Sequence, residues 1–371
     1  MHYDNNIDDL CWYEVGNRRY HNRLEAFFDH INSKQALHFN VNDKEYAKHN
    51  WAVEPVVTLE ELYARRAFQI RNKYDYLVLH FSGGSDSCNI LETFIRNKIF
   101  IDEIIVRGSY RFCTGRAGVV SMEDMYSEIF NQSLPLAQWA KEHHFPHMKI
   151  TVVETSEIVD DFFRNTTDWV DQGISWLTPG SILKSRQDIL APHWQYLADA
   201  GKKIAHINGA EKPKLYREKN YFYTRWIDSE IAGWNTAKHG QDQLPQYIEC
   251  FYLGRHAIEL QIKQLHTLKN FIKKQTVESP DWHPSAGRAY ENFVSALIYQ
   301  RTLPLTCLHL KDSSDSPIDL KDSWFAKDQF SDAYTNWQRG VEFLQTSLPS
   351  EYLDSKKNIV GLWSRPYFLG T

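Results

Sequence analysis

The sequence predicts an α/β fold: an open, twisted, mainly parallel sheet with helices on both faces, joined to a helical C-terminal region. Three observations predict it. Between residues 72 and 235, short apolar runs rich in Val, Ile and Leu alternate with helical patterns, as successive βα units require. Those runs are nearly continuous in their apolar character, the mark of strands covered on both faces. From about residue 240 onward the pattern turns mostly helical. The chain therefore divides into an N-terminal extension (1–71), an α/β unit (72–235) and a mainly helical C-terminal region (236–371).

Taken in order, the extension carries aromatic clusters (Trp12, Tyr13, Phe27, Phe28, Trp51) and a helix starting after Thr58, where Thr58-Leu59-Glu60-Glu61 offers an N-cap followed by acidic first-turn residues. The predicted strands are Tyr76–Phe81, Glu103–Val106, Lys149–Val153 and Lys203–Ile207. Between the first two, Ile90, Leu91, Phe94 and Ile95 fall on one face of a helix running from Asp86 to about Arg96, a stripe that packs onto the sheet. Further on, Ile258, Ile262, Leu265, Leu268, Phe271 and Ile272 form a long amphipathic stripe. Residues Asp312 to Ser316, followed by Pro317, read as a loop.

Composition excludes several classes. With 371 residues the chain can bury one large core or two ordinary ones. A formal net charge of −5 gives no global reason to coat nucleic acid, leaving only a local basic groove for that purpose. No stretch approaches the roughly 20 apolar residues that span a bilayer, and the start, MHYDNNIDDL, is polar and acidic where a secretion signal is basic then apolar. A soluble, cytoplasmic protein without a membrane partner is expected; nothing sets its oligomeric state. The five cysteines, Cys11, Cys88, Cys113, Cys250 and Cys307, are scattered and form no CxxC pair, which argues against a disulfide framework and a cysteine-rich zinc site. The aromatic share of 14% is high enough that some rings can line surfaces for stacking as well as fill the core.

The residues that point to chemistry sit at the first strand-to-helix junction, His80-Phe81-Ser82-Gly83-Gly84-Ser85-Asp86-Ser87-Cys88. Two adjacent glycines allow backbone angles closed to other residues and let backbone N–H groups approach a ligand. A helix begins directly behind them, so its unpaired N–H groups and positive dipole end point at the same spot, a ready anion site. Ser82, Ser85 and Ser87 add hydroxyl donors, and Asp86 adds a carboxylate able to hold Mg²⁺ against a phosphate chain. The plainer alternative is a Gly-Gly turn with Asp86 or Ser87 as an ordinary N-cap. The loop is not a Walker A motif, because the single Gly-Lys pair, Gly201-Lys202, lacks both the upstream glycine and the hydroxyl; nor does it hold the three spaced glycines of a dinucleotide fingerprint.

Ser-Gly-Gly-x-Asp-Ser after a buried strand resembles the signature of the PP-loop ATP pyrophosphatases, the adenine-nucleotide α hydrolase-like superfamily with a Rossmann-like domain, over roughly residues 72–235. The resemblance implies ATP cleavage between the α and β phosphates, with the loop gripping the pyrophosphate that leaves. It also implies adenine held by backbone groups at the end of the second strand, here Val106, Arg107 and Gly108. Acidic and basic groups after the fourth strand commonly complete such sites, and Asn208-Gly209-Ala210-Glu211-Lys212-Pro213-Lys214 supplies them: Glu211 to share the metal with Asp86, Lys212 and Lys214 to neutralise pyrophosphate. The stretch Asn208 to Tyr216, and Glu249-Cys250-Phe251-Tyr252 with the helix after it, look like a group of phage-encoded PP-loop proteins labelled phosphoadenylylsulfate reductase-like or asparagine synthetase-like. That likeness would place the protein in the host cytoplasm.

The chain departs from better-known members. Residue 2 is His2 where asparagine synthetases carry the glutaminase cysteine, and Cys307 lies in Leu305-Thr306-Cys307-Leu308-His309, not in the Glu-Cys-Gly context of phosphoadenylylsulfate reductases. The CxxC pairs of tRNA-thiolating members are missing. His143 and His147 have helical metal-ligand spacing, but Pro146 interrupts the helix and no HExxH is present. Glu123-Asp124 and Asp160-Asp161 are paired carboxylates able to do acid–base work, though helix-end and solvent-facing charges explain them more simply, while Arg111, Arg116, Arg217 and Arg225 near strand ends are candidates to bind an anionic second substrate. The expected function is ATP-dependent adenylation of an unidentified acceptor, a small molecule or a nucleic-acid base, with ATP and Mg²⁺ as cofactors. A reductase-like enzyme and a non-catalytic nucleotide-binding protein are the alternatives. The rings of Tyr216, Tyr221, Phe222, Tyr223 and Trp226 either shape the acceptor pocket or wedge C-terminal helices onto the sheet.

Overall fold

A computed structural model describes residues 10–108, 129–154, 192–209, 211–231, 246–299, 332–353 and 360–371. The N-terminal segment forms β1 (Trp12–Val15), β2 (Arg18–Tyr20), α1 (Arg23–Ser33) and β3 (Leu37–Asn40), an antiparallel sheet in the order β2-β1-β3 with α1 against it. Next comes α2 (Leu59–Lys73), which starts where the sequence places it: Thr58 Oγ1 accepts from the Glu61 backbone N–H and the Glu61 carboxylate accepts from the Thr58 N–H, a complete capping box.

The central unit runs β4 (Tyr76–His80), α3 (Ser85–Arg96), β5 (Glu103–Gly108), α4 (Leu134–His143), β6 (Lys149–Glu154), α5 (Pro192–Asp199) and β7 (Ile204–Asn208). A hairpin follows, β8 (Tyr216–Glu218) with β9 (Tyr221–Thr224), then β10 (Gln246–Cys250), α6 (Ile258–Lys274), α7 (Arg288–Ile298), α8 (Asp332–Ser347) and β11 (Tyr367–Gly370). All four expected strands are present within a residue or two at each end. Five strands make one fully parallel sheet in the order β10-β7-β4-β5-β6. The fifth, β10, comes from beyond residue 235; its Gln-Tyr-Ile-Glu-Cys run is too polar to read as a buried strand, and it lies at the sheet edge.

Both faces of the sheet are covered. Leu77, Leu79, Ile104, Val106, Ala205 and Ile207 belong to the large core with Ile90, Leu91 and Phe94 of α3 and Leu136, Ala137 and Ala140 of α4. Val78, Ile105 and Ile204 on the other face pack with Trp194 and Ala198 of α5. A third sheet, β11-β9-β8, is antiparallel and was not expected. Trp226, just past β9, is buried among Tyr46, Trp51 and Tyr367 at ring separations of 5.1, 5.9 and 5.8 Å. That box joins the N-terminal segment to the hairpin and the last strand, so Trp226 is core filler between segments distant in the chain.

Topology positions the site. The chain moves outward from β4 through β5 to β6, then returns to β7 on the opposite side of β4. The order reverses between β4 and β7, and in open parallel sheets the crevice outside the carboxyl ends of the strands at such a point is where ligands bind. The loop Phe81–Gly84 leaves β4 there, and Gly209 and residues 211–215 follow β7. Among the described residues, no helix is long and apolar enough to cross a membrane.

Candidate functional site

Gly83 and Gly84 turn the chain from β4 into α3. Gly83 has φ +77°, and a Cβ there would stand 2.4 Å from Ser133 Oγ, so backbone angle and space both demand glycine. Ser133 is buried at the start of α4, and its hydroxyl donates to Ser82 O at 2.6 Å, pinning the turn from below. Gly84 is the N-cap of α3 and supplies no side chain to the helix end. Ser87 Oγ donates back to Gly84 O at 3.1 Å and lies 3.4 Å from Ser82 Oγ. The first-turn N–H groups of α3 thus stay uncapped by any side chain, the condition under which a helix N-terminus receives an anion. The plainer expectation of Asp86 or Ser87 as N-cap is not met, since both lie inside the helix.

The second loop packs directly onto this turn. A Cβ on Gly209 would lie 3.1 Å from Asp86 Cβ and 3.2 Å from the Ser87 backbone nitrogen, so residue 209 must be small for the two loops to meet. Two residues beyond Ala210, which lies outside the described residues, Lys212 is buried and places Nζ 2.9 Å from Asp86 Oδ1 and 2.5 Å from Glu291 Oε2 of α7. Burial alone pushes a lysine pKa down; here the Asp86 and Glu291 carboxylates outweigh it and raise Lys212 well above its ordinary value, fixing it as the ammonium ion. Glu211, one residue earlier, is half-buried on left-handed backbone at φ +53°, and Lys214 is half-buried before the hairpin. Val106, Arg107 and Gly108 end β5, which pairs with β4 inside the sheet, at the same carboxyl end, with Val106 in the core.

Sequence reasoning missed the tyrosines that close around Asp86. Tyr299, following α7, donates its hydroxyl to Asp86 Oδ1; Tyr252, after β10, donates to the Asp86 backbone carbonyl at 2.8 Å and accepts from Asn89 Nδ2 at 3.0 Å. Their rings lie 5.5 Å apart, with Tyr63 of α2 at 6.1 Å from the first-turn partner Tyr252 and 6.5 Å from Tyr299. Burial, followed by the charge of Asp86, holds the Tyr299 phenol well above its ordinary pKa, so it remains a donor. Ser85 Oγ is 3.1 Å from Ser295 Oγ of α7. Helix α7 therefore contributes Glu291 and Ser295, with Tyr299 just past its end, at i, i+4 and i+8 on one face. That spacing was the available signal, but polar residues on an amphipathic helix ordinarily read as solvent-facing.

A second missed pair lies on the opposite face of the sheet. His80 at the end of β4 and His206 in β7 approach at 3.0 Å between Nε2 and Nδ1, both buried, with the Trp194 ring 4.5 Å from His206. Burial, then the positive charge of Arg107, then His206, pushes His80 well below the ordinary histidine range, and its Nδ1 has no hydrogen-bond partner among the described residues.

The remaining candidates are accounted for by local contacts. His143 ends α4, bonds the Trp139 carbonyl at 2.9 Å and stacks on that ring; no group of three or more His, Cys, Asp or Glu side chains suited to a metal occurs among the described residues. Arg217 pairs with Glu278 and donates to the Lys219 carbonyl, while Arg225 lies 4.0 Å over the Trp363 ring between Tyr216 and Tyr223. A cavity of about 310 Å³ beside the hairpin is lined in part by Leu215, Arg217, Phe222, Trp282 and His283. Arg111, Arg116, Glu123, Asp124, Asp160, Asp161, Cys113, Cys307 and the Asp312–Ser316 loop lie outside the described residues.

For Mg²⁺ the donor set is small but chemically suitable. Asp86 Oδ1 takes both Lys212 and Tyr299, while Oδ2 takes neither. One or two carboxylates complemented by substrate phosphates and water are the usual protein share of a Mg²⁺ site. The loop's uncapped N–H groups and Gly-Gly approach likewise suit a polyphosphate.

No family model matches this chain. No curated protein matches it either. Among solved structures it is similar to an NH3-dependent NAD synthetase from Campylobacter jejuni subsp. jejuni NCTC 11168, solved in complex with the nitrate ion, at 14% identity over 65% of this chain and 84% of that one, with a TM-score of 0.30. A likeness of that size leaves function to be argued from the chain's own residues.

Proposed function

We propose that this protein is an ATP-dependent adenylating enzyme that releases AMP and pyrophosphate while activating an acceptor. The observation that carries the reading is the uncapped N-terminus of α3 behind Gly83-Gly84, set in the crevice between β4 and β7 with the Lys212 ammonium 2.9 Å from Asp86. In this reading the backbone N–H groups from Ser85 to Ser87, behind the Gly83-Gly84 turn whose Gly84 N–H is taken by Ser82 Oγ, hold the β and γ phosphates with the Ser82, Ser85 and Ser87 hydroxyls. An acceptor oxygen forms a bond to the α-phosphorus, the bond from that phosphorus to the bridging oxygen breaks, and its electron pair leaves with pyrophosphate. Lys212 offsets the negative charge that grows on the bridging oxygen, an effect strongest in a site shielded from water.

Asp86, with Glu211 as the second carboxylate, is the residue proposed to hold Mg²⁺, which when bound neutralises phosphate oxygens. Val106, Arg107 and Gly108 are proposed to meet the adenine, and Lys214 to add positive charge near the phosphates. The cavity beside Leu215 and Phe222 is the proposed place for the acceptor, three residues from Lys212. Calorimetric titration with Mg·ATP tests the reading: Gly84→Val and Asp86→Asn should each abolish binding, and unchanged affinity in both contradicts it.

A further inference from the structure

A second cavity, of about 350 Å³, opens between α2, the loop from β10 to α6, and the segment before α2. Its lining includes His49, Arg65, Arg66, Arg255 and His256, with Glu259 the acidic member of the wall. On a chain of net charge −5, three guanidinium groups around one concavity are a local reversal of sign.

Arg66 is the built part of this cavity. It is buried, and four hydrogen bonds fix its guanidinium: Nη2 to Glu249 Oε2 at 2.7 Å and to Cys250 O at 3.0 Å, Nε to Phe251 O at 3.3 Å, and Nη1 to Gln69 Oε1 at 3.0 Å. A guanidinium carries five N–H donors, so among the described residues one on Nη1 is left over and its direction is already set. Arg65 and Arg255 are exposed on the rim. Arg65 enters no hydrogen bond or ion pair among the described residues. Arg255 Nε donates to His256 Nε2 at 3.3 Å, which makes that imidazole nitrogen an acceptor. A fixed donor at the base with two exposed guanidinium groups at the rim matches a group with several anionic oxygens, for which Arg forks are the preferred partners.

We infer that this cavity is a second anion site, separate from the Ser82–Ser87 loop, that takes the phosphate of a phosphate ester. Phosphate outranks carboxylate as the ligand because its oxygens point out of one plane, toward the base donor and both rim guanidinium groups at once, whereas the two oxygens of a carboxylate share a plane. The site does not depend on the ATP reading. It shares α2 with the Asp86 cluster through Tyr63, one helical turn before Arg66, so a phosphate ester seated here is held on an element that touches the site.

Fluorescence anisotropy of the full chain with a short labelled single strand of DNA at low salt tests the inference, with ribose 5-phosphate as competitor. Wild type should bind the strand; Arg65→Ala/Arg255→Ala should weaken binding by about tenfold or more and flatten its salt dependence. Glu259→Gln should tighten it, a change of sign that misfolding cannot mimic. Displacement by ribose 5-phosphate means a single ester suffices, whereas Arg-dependent binding that resists displacement assigns the site to a polynucleotide backbone. Asp86→Asn should bind as wild type. Equal affinity of wild type and the double variant, no binding of the labelled strand by wild type, or loss of binding in Asp86→Asn overturns the inference.

Discussion

Lys212 Nζ lies 2.9 Å from Asp86 Oδ1, joining the loop after the fourth sheet strand in sequence to the first turn of the helix after the first. These residues are 126 positions apart in sequence, and the contact forms only because the sheet order reverses between β4 and β7. With Glu291 on its far side the ammonium is shared by three segments of chain, so it both fastens the site and sets its charge.

Replacing that cation leaves two carboxylates facing each other. Lys212→Met should lower stability by about 1–3 kcal/mol, less than for a fully buried pair because Asp86 and Glu291 both reach solvent. Pyrophosphate release should fall by about 10² to 10³, as for loss of one well-placed electrostatic donor. Thermal unfolding and a pyrophosphate-release assay measure the two effects separately.

Tyr299→Phe removes the hydroxyl that Asp86 Oδ1 accepts and keeps the ring against Tyr252. With the packing kept, the melting temperature should change little. Turnover should fall by about tenfold, corresponding to roughly 1.4 kcal/mol of lost orientation. A large drop in melting temperature with unchanged turnover would assign the tyrosine to structure alone.

Gly83→Ala meets two obstacles, left-handed backbone at φ +77° and a Cβ placed 2.4 Å from Ser133 Oγ. Stability should fall by about 1–3 kcal/mol. In Gly83→Ala/Ser133→Ala the clash with Oγ should be relieved while the backbone strain remains, with Ser133→Ala alone as the reference for the lost Ser133–Ser82 hydrogen bond. Denaturant unfolding of the three variants separates the two contributions.

Glu249 supplies a pH test of the sheet edge. Burial raises its pKa, but the charge of Arg66, the Tyr74 hydroxyl and Lys73 outweigh burial and hold it at about 2, below the ordinary 4.5. A carboxylate depressed in the folded state stabilises above its unfolded pKa and loses that contribution as pH falls toward the folded value. Wild type should therefore lose up to about 3 kcal/mol between pH 4.5 and 2 that Glu249→Gln does not lose over the same range. Urea midpoints across that window are the measurement.

The parallel core was legible because its signals are local: continuous Val, Ile and Leu runs mark doubly covered strands, and Thr58 with Glu61 marks a helix start. The Gly-Gly loop was legible for the same reason, since strand, turn and helix are contiguous. Strand β10 was not, because an edge strand can hold Glu249 inward when Arg66 and Lys73 come to meet it, and those partners are 183 and 176 residues away. Glu291, Ser295 and Tyr299 escaped notice because their polarity is explained only by Lys212, Ser85 and Asp86, which topology brings to them. Among the described residues, part of the aromatic excess forms a packed box around Trp226, and Tyr252 and Tyr299 bond to Asp86.

The most direct test of the central claim is the identity of the products when the full chain turns over ATP labelled in the α-phosphate and, in a parallel reaction, in the γ-phosphate, with metabolites and nucleic acids screened as acceptors. Cleavage to AMP and pyrophosphate, lost in Asp86→Asn, is the predicted result. Release of ADP and inorganic phosphate would contradict it.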